Sequence, residues 1–178
     1  MSKHTTAVRT HTCGALRAED VDDIQEISLS GHIHQIVDGS SFVLRDHYGQ
    51  TLCVVAEDAI PNVPDFIPKL FKEDVVQVKG TLSLRAEADA DLPTGAVQLN
   101  IQEMTMLSSA AAIPESVMNE PLVPIEERLA QRQLYLRREE MQERLAFRSK
   151  VAFETREYLV NQGFLEIETP HLFWYDVV

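Results

Sequence analysis

Basic residues are scarce: 16 Lys and Arg stand against 28 Asp and Glu in 178 residues, a formal net charge of −12. Nucleic-acid binding by bulk charge rests on cations that displace phosphate counterions, so only a local basic patch would serve here. Cysteine is nearly absent, and Cys13 and Cys53 form no CxxC or Cys/His ligand spacing. They read as two reduced, partly buried thiols of a cytosol-like compartment, with no metal site. No apolar run approaches the ~20 residues that cross a bilayer, so no membrane partner is expected. No pocket motif for a cofactor or free nucleotide is evident. The opening Met1–Thr12 has Lys3, Arg9 and no acid, which suits a plain tail or the remnant of a transit peptide. The expected compartment is the cytoplasm, or an organelle matrix such as the mitochondrion.

Hydrophobic residues make up 44% of the chain, enough for one compact domain with an appendage. Residues 1–107 hold 8 basic and 16 acidic groups, making this the more acidic part. From Glu26 to Met106, short β-forming runs alternate with turn signals. The first run carries Ile27, Leu29, His32, His34 and Ile36. Asp38-Gly39-Ser40 turns into a second over Ser41–Asp46, and Tyr48-Gly49-Gln50 into a third over Thr51–Ala56. Pro61 and Pro64, then Phe66, Ile67, Leu70 and Phe71 at helical spacing, predict a short amphipathic helix over 62–72. Strand patterning resumes at Val75–Leu84. After the acidic loop Glu87–Asp91 and the turn Leu92-Pro93-Thr94-Gly95, it returns from Val97 to about Met106. Five strands with a helix between the third and fourth is the element order of an OB-fold barrel, so the chain reads as mainly β with a C-terminal helix.

Residues 108–124 are Ala- and Pro-rich and read as a linker. From Ile125 to Gln162 no Pro or Gly occurs, which predicts one long helix. Met141, Leu145, Ala152 and Leu159 recur along it at spacings of four and seven, and Phe147, Val151 and Tyr158 broaden the stripe. Gly163 stands where a helix C-terminus favours left-handed backbone. Phe164–Pro170 then reads as a strand stopped by proline. The stripe has little chain to pack on and reads as half of an interface, with another subunit or another domain. The expected organisation is a flexible tail over 1–8, a barrel over 9–107, a linker or hinge over 108–135, and the start of a second domain over 136–178.

Four stretches, in order, carry a resemblance: Arg9–Arg17, Leu92–Gly95, Leu134–Gln142 (with Glu139 in place of a usual proline) and Asn161–Pro170. In them the chain resembles bacterial-type aspartyl-tRNA synthetases, from the anticodon-binding OB domain through motif 1 of the class II catalytic domain, over roughly residues 9 to 173. The resemblance implies a barrel that grips a tRNA anticodon, a catalytic domain that forms aspartyl-adenylate, and a motif 1 segment that builds a dimer. Motifs 2 and 3, and the loop expected after motif 1, have no counterpart among these residues. The reading is therefore an aspartate–tRNA ligase fragment or truncated paralogue, a tRNA-binding module without aminoacylation of its own. The alternative is a synthetase-derived interaction subunit of a larger assembly that has lost anticodon recognition.

Within the barrel, Gln35-Ile36-Val37-Asp38 stands where the family shows three arginines and an aspartate. The arginine that reaches the anticodon falls on Val37. The stacking aromatic falls on Ser41, with Phe42 one place along, and the base-reading glutamine falls on Leu52, with Gln50 two earlier. Each such contact contributes about 1–3 kcal/mol, so the three replacements imply weakened reading of tRNA. Phe42, Arg45 and Gln50 remain as candidate nucleic-acid contacts, with His47 and Tyr48 beside them. Arg45 has a structural alternative as the partner of Asp46. The dimer or partner interface is assigned to Met141, Leu145, Ala152, Leu159, Phe164 and Pro170, within 139–170. No catalytic residue is assigned. His32 and His34 share a strand face at a spacing metal ligands use, without further ligands. Glu166 and Glu168 face away from Leu165 and Ile167, as solvent or interface positions. Arg128, Arg132, Arg137 and Arg138 form the best remaining basic stripe, readable equally as a solvated helical face.

Overall fold

Alternation of apolar and polar residues places one face of each β-run inside a closed surface, and closure removes the sheet edges that would otherwise template aggregation. The computed structural model describes residues 5–21, 26–56, 59, 63, 67–90, 92–111 and 123–170. Five strands close a barrel in the order β1-β2-β3-β5-β4: β1 (Ile27–Ile36), β2 (Ser41–Asp46), β3 (Gly49–Val55), β4 (Val75–Leu84) and β5 (Val97–Ser108). β1 bonds antiparallel to both β2 and β4, and β3 runs parallel to β5. Register shifts interrupt β1–β2 near Gln35 and β4–β5 near Gly80. Such bulges bend strands, as closure requires. Ile27, Leu29, Ile33, Phe42, Leu44, Val76, Val78, Leu99 and Ile101 fill the interior without exposed surface.

The N-terminal segment is strapped across this barrel. Cys13 and Leu16 join the core. The amide of Thr10 donates to the Ser28 carbonyl at 2.8 Å, and that of Cys13 to the Asp46 carboxylate at 2.9 Å. Gly14 lies so close to the β2–β3 turn that a Cβ there would sit 1.9 Å from the Tyr48 carbonyl oxygen. Of the helix expected over 62–72, Val63 is helical and buried, and Ile67–Lys69 forms a 3-10 turn with Ile67 buried; residues 62 and 64–66 lie outside the described residues.

The chain divides into two compact units, Met1–Ile113 and Pro114–Val178. In the second, the single long helix expected is three: α1 (Ile125–Ala130), α2 (Arg132–Tyr135) and α3 (Glu139–Asn161). Gln131, at φ −111°, separates the first two, and Arg138, extended at φ −60° and ψ 140°, separates the last two. The Gln142 side-chain amide donates to the Leu136 carbonyl, an acceptor that unbroken helix would have satisfied. Glu139 and Glu140 open α3, where carboxylates favour the helix dipole. At its other end Gly163 takes φ 86°; its amide bonds the Val160 carbonyl and that of Phe164 the Leu159 carbonyl. This is the double hydrogen bond of a left-handed C-cap. The strand expected over 164–170 finds no ladder among the described residues, and its residues lie exposed.

Candidate nucleic-acid interface

OB barrels take oligonucleotides on the face of their second and third strands and the loops beside it. Here the outward positions align across three strands: His32 on β1 faces Arg45 on β2, and Arg45 faces Gln50 on β3. The next row carries Val43, Leu52 and Gln98.

Arg45 is held by an acid other than the one its sequence suggests. Its Nη2 lies 2.6 Å from Glu73 Oε1, and the other carboxylate oxygen lies 3.6 Å from His32 Nδ1. The Glu73 side chain is 2% exposed, and its backbone is left-handed at φ 71°. The Glu73 amide bonds the Ile33 carbonyl at 2.8 Å, which holds that conformation against β1. Asp46 instead serves the turn and the strap: it accepts from the amides of Cys13, Tyr48 and Gly49 and lies 3.5 Å from Arg9 Nη1.

Phe42 is a correction. Its ring points into the barrel with no exposed surface, so it has no face to offer a base. The alternation of β2 puts Phe42 and Leu44 inside, and Ser41, Val43 and Arg45 outside. Ser41 itself is 6% exposed. Gln50 is half-buried at the start of β3, where its carbonyl accepts the Thr94 hydroxyl, so the Leu92–Gly95 turn docks onto this strand.

An exposed aromatic group lies at the β2–β3 turn. Tyr48 is 45% exposed, packs edge-on against His47 at 5.1 Å, and carries the Arg9 guanidinium 5.7 Å from its ring centroid. Sequence reasoning did not join Arg9 to this group, because the two are 39 positions apart and meet only through the strap. At the β1–β2 turn, Ile36 and Val37 are exposed. The Ser40 amide, then the Ser41 and Ser40 hydroxyls, hold the Asp38 carboxyl below its ordinary value.

The buried thiols take no part in this surface. Burial first, then the Asp46 charge, push the Cys13 thiol well up, and burial does the same for Cys53. Among the described residues, no group of three or more His, Cys, Asp and Glu gathers as metal ligands would.

In the second unit, α3 is exposed along its length: Leu145, Phe147, Val151, Phe153, Tyr158, Leu159 and Val160 are all open to solvent, as is Phe164 after it. Ala152 and Pro170 are exposed too, and Met141 is half-buried. Arg156 pairs with Glu166 at 2.6 Å, which places Glu166 in an exposed ion pair. That hydrogen bond, more than the bare charge, holds the Glu166 carboxyl below its ordinary value.

Residues 27–107 match the model of an OB-fold nucleic acid binding domain, the span of the barrel. Residues 124–176 match the model of class II tRNA synthetases (D, K and N). The chain is 42% identical over 171 residues to an aspartate–tRNA(Asp/Asn) ligase of Rhodopseudomonas palustris (strain BisB5), covering 92% of this chain and 28% of the relative. An aspartate–tRNA ligase of Bacteroides thetaiotaomicron is 36% identical over 167 residues, with the same coverage. The chain thus spans little more than a quarter of these relatives. Its fold is shared with asparaginyl-tRNA synthetase of Pyrococcus horikoshii at a TM-score of 0.73 and 21% identity, over 90% of this chain and 37% of that one.

Proposed function

We propose, from the premise that this chain belongs with the bacterial-type aspartyl-tRNA synthetases as the relative of their OB-fold domain and the start of their class II domain, that its barrel binds tRNA at the anticodon. The observation that carries this reading is the coincidence of the nucleic-acid-binding match with the closed barrel. The contact surface is the outer row His32, Arg45 and Gln50 with the Arg9–Tyr48 group at its end. Arg45 works from within its ion pair with Glu73, which orients the guanidinium and tempers its charge. Leu52 and Val43 supply apolar surface where a base lies flat. Motifs 2 and 3 of that family have no counterpart among these residues, and adenylate formation is not part of this reading. α3 and the segment through Pro170 dock a second copy or a partner protein through Leu145, Ala152, Leu159 and Phe164, with Met141 at the near edge. The protein works in a soluble compartment, the cytoplasm or an organelle matrix.

A second reading is favoured by the fate of Phe42 and by the exposed Ile36 and Val37. It is a synthetase-derived interaction subunit that no longer reads an anticodon. The experiment is a titration of the purified chain against aspartate tRNA, with a non-cognate tRNA beside it, at two salt concentrations. Cognate preference at physiological salt supports the first reading. Equal, weak binding that vanishes as salt rises supports the second.

A further inference from the structure

Among the described residues, Glu73 is the one non-glycine with a left-handed backbone, at φ 71°. A Cβ makes that conformation costly, and it persists only where the surroundings over-determine it. The turn Phe71–Asp74 is held in that way. Asp74 closes it twice: its amide donates to the Phe71 carbonyl at 3.1 Å, and its carboxylate accepts the Phe71 amide at 2.7 Å. Ile33 of β1 fixes it from the barrel side. The Glu73 amide donates to the Ile33 carbonyl and the Ile33 amide to the Asp74 carbonyl, both at 2.8 Å. Two consecutive buried carboxylates leave this turn for different parts of the first unit. Glu73 holds Arg45 at 2.6 Å and approaches His32 at 3.6 Å, on the outer row. Asp74 accepts the Ala110 amide at 2.6 Å through its second oxygen. Ala110 stands two residues beyond the end of β5, at the root of the stretch read as a linker. One planar peptide unit joins Glu73 to Asp74, so a change in the Glu73 dihedrals re-aims the Asp74 carboxylate.

We propose that the Phe71–Asp74 turn couples the state of Arg45, on the outer row, to the hold on the chain at Ala110. A phosphodiester on Arg45 fixes the guanidinium that Glu73 already orients. That narrows the motion of the turn and strengthens the hold on Ala110. Loss of the cation does the reverse. The buried Glu73 carboxylate loses its guanidinium, the left-handed backbone relaxes, and Asp74 releases the Ala110 amide. Coupling is reciprocal, so freeing Ala110 weakens binding at a residue it does not touch. That RNA is what occupies Arg45 rests on the tRNA reading of the barrel. The coupling inside the protein does not.

The test is amide hydrogen exchange at Ala110, followed by NMR in the full chain. The Ala56 amide, which donates to the Ile101 carbonyl at 3.0 Å, is the reference for opening of the barrel as a whole. Without RNA, R45Q and E73Q are each expected to speed exchange at Ala110 about 5-fold more than at Ala56. Circular dichroism melting checks the fold of each, and because the two break the pair from opposite sides, either folded variant suffices. Saturating aspartate tRNA is expected to slow Ala110 about 5-fold in the wild type and to leave it unchanged in E73Q. A110P removes the amide without altering charge and is expected to weaken tRNA binding about 5-fold. Exchange at Ala110 that merely follows Ala56 in the variants overturns the proposal, whatever the RNA does. Bound tRNA that leaves Ala110 unchanged, or wild-type affinity in folded A110P, overturns it too. Faster exchange at Ala110 in the variants, with a wild-type chain that binds no tRNA, overturns the anticodon reading and leaves the coupling standing.

Discussion

Glu73 and Arg45 meet at 2.6 Å on the outside of the barrel, one supplied by the turn before β4 and the other by β2. The carboxylate is the more buried partner, at 2% against 15% exposed. Losing its cation therefore costs more than the reverse. Arg45→Ala is expected to destabilise the barrel by about 3 kcal/mol and Glu73→Gln by about 1–2 kcal/mol. The double variant should lose less than their sum, because neither charge is then stranded. Urea unfolding of all four proteins measures this, and strict additivity would mean the pair is not coupled.

Gly14 is a packing requirement. A Cβ there meets the Tyr48 carbonyl oxygen at 1.9 Å, a backbone atom that cannot swing aside, whereas one at Gly39 meets nothing within 4 Å. Gly14→Ala is expected to cost about 2–3 kcal/mol and to speed hydrogen exchange at the Thr10 and Cys13 amides, as the strap lifts. Gly39→Ala should stay within about 0.5 kcal/mol. Equal thermal midpoints for the two variants would refute the steric account.

The thiols make stability fall at alkaline pH. Both are raised in the folded chain by burial. Their contribution is therefore complete below the ordinary thiol value of about 8.5 and declines as pH rises above it. The urea midpoint is expected to drop between pH 8 and pH 10, and to drop less in C13A/C53A. Ellman's reagent at pH 8 should label the chain only in denaturant. Rapid labelling of the native chain, or identical pH profiles for both proteins, would contradict the burial argument.

The exposed apolar residues of α3 predict association. Leu145 and Leu159 are 42% and 41% exposed on a helix with no buried residue. Sedimentation velocity is expected to show concentration-dependent association of the wild-type chain, abolished in L145E/L159E with the far-UV spectrum retained. A wild-type chain that stays monomeric at all concentrations would leave the face to a different partner.

Strand positions were legible because period-2 alternation reports burial directly: β2 and β4 have the limits their patterns imply, and β5 runs two residues further. The same alternation held the answer for Phe42, since Phe42 and Leu44 share parity and Leu44 is plainly apolar. Glu73 as the partner of Arg45 was not legible, because that contact spans 28 positions and needs the closed barrel. The helix breaks at Gln131 and Arg138 carry no Pro or Gly to announce them. The cap at Gly163 was legible, because only its own turn decides it.

Barrel closure also has an order in time. β5 bonds on both sides, to β3 and to β4, and it is the last strand of the barrel in chain order. Until Val97–Ser108 has been synthesised, β3 and β4 each present an open edge, and nascent chains on one messenger have matching edges to pair. Residues 1–107 carry twice as many acids as bases. Their mutual repulsion separates neighbouring chains during that interval. An acidic excess of this kind disfavours pairing of those open edges between chains.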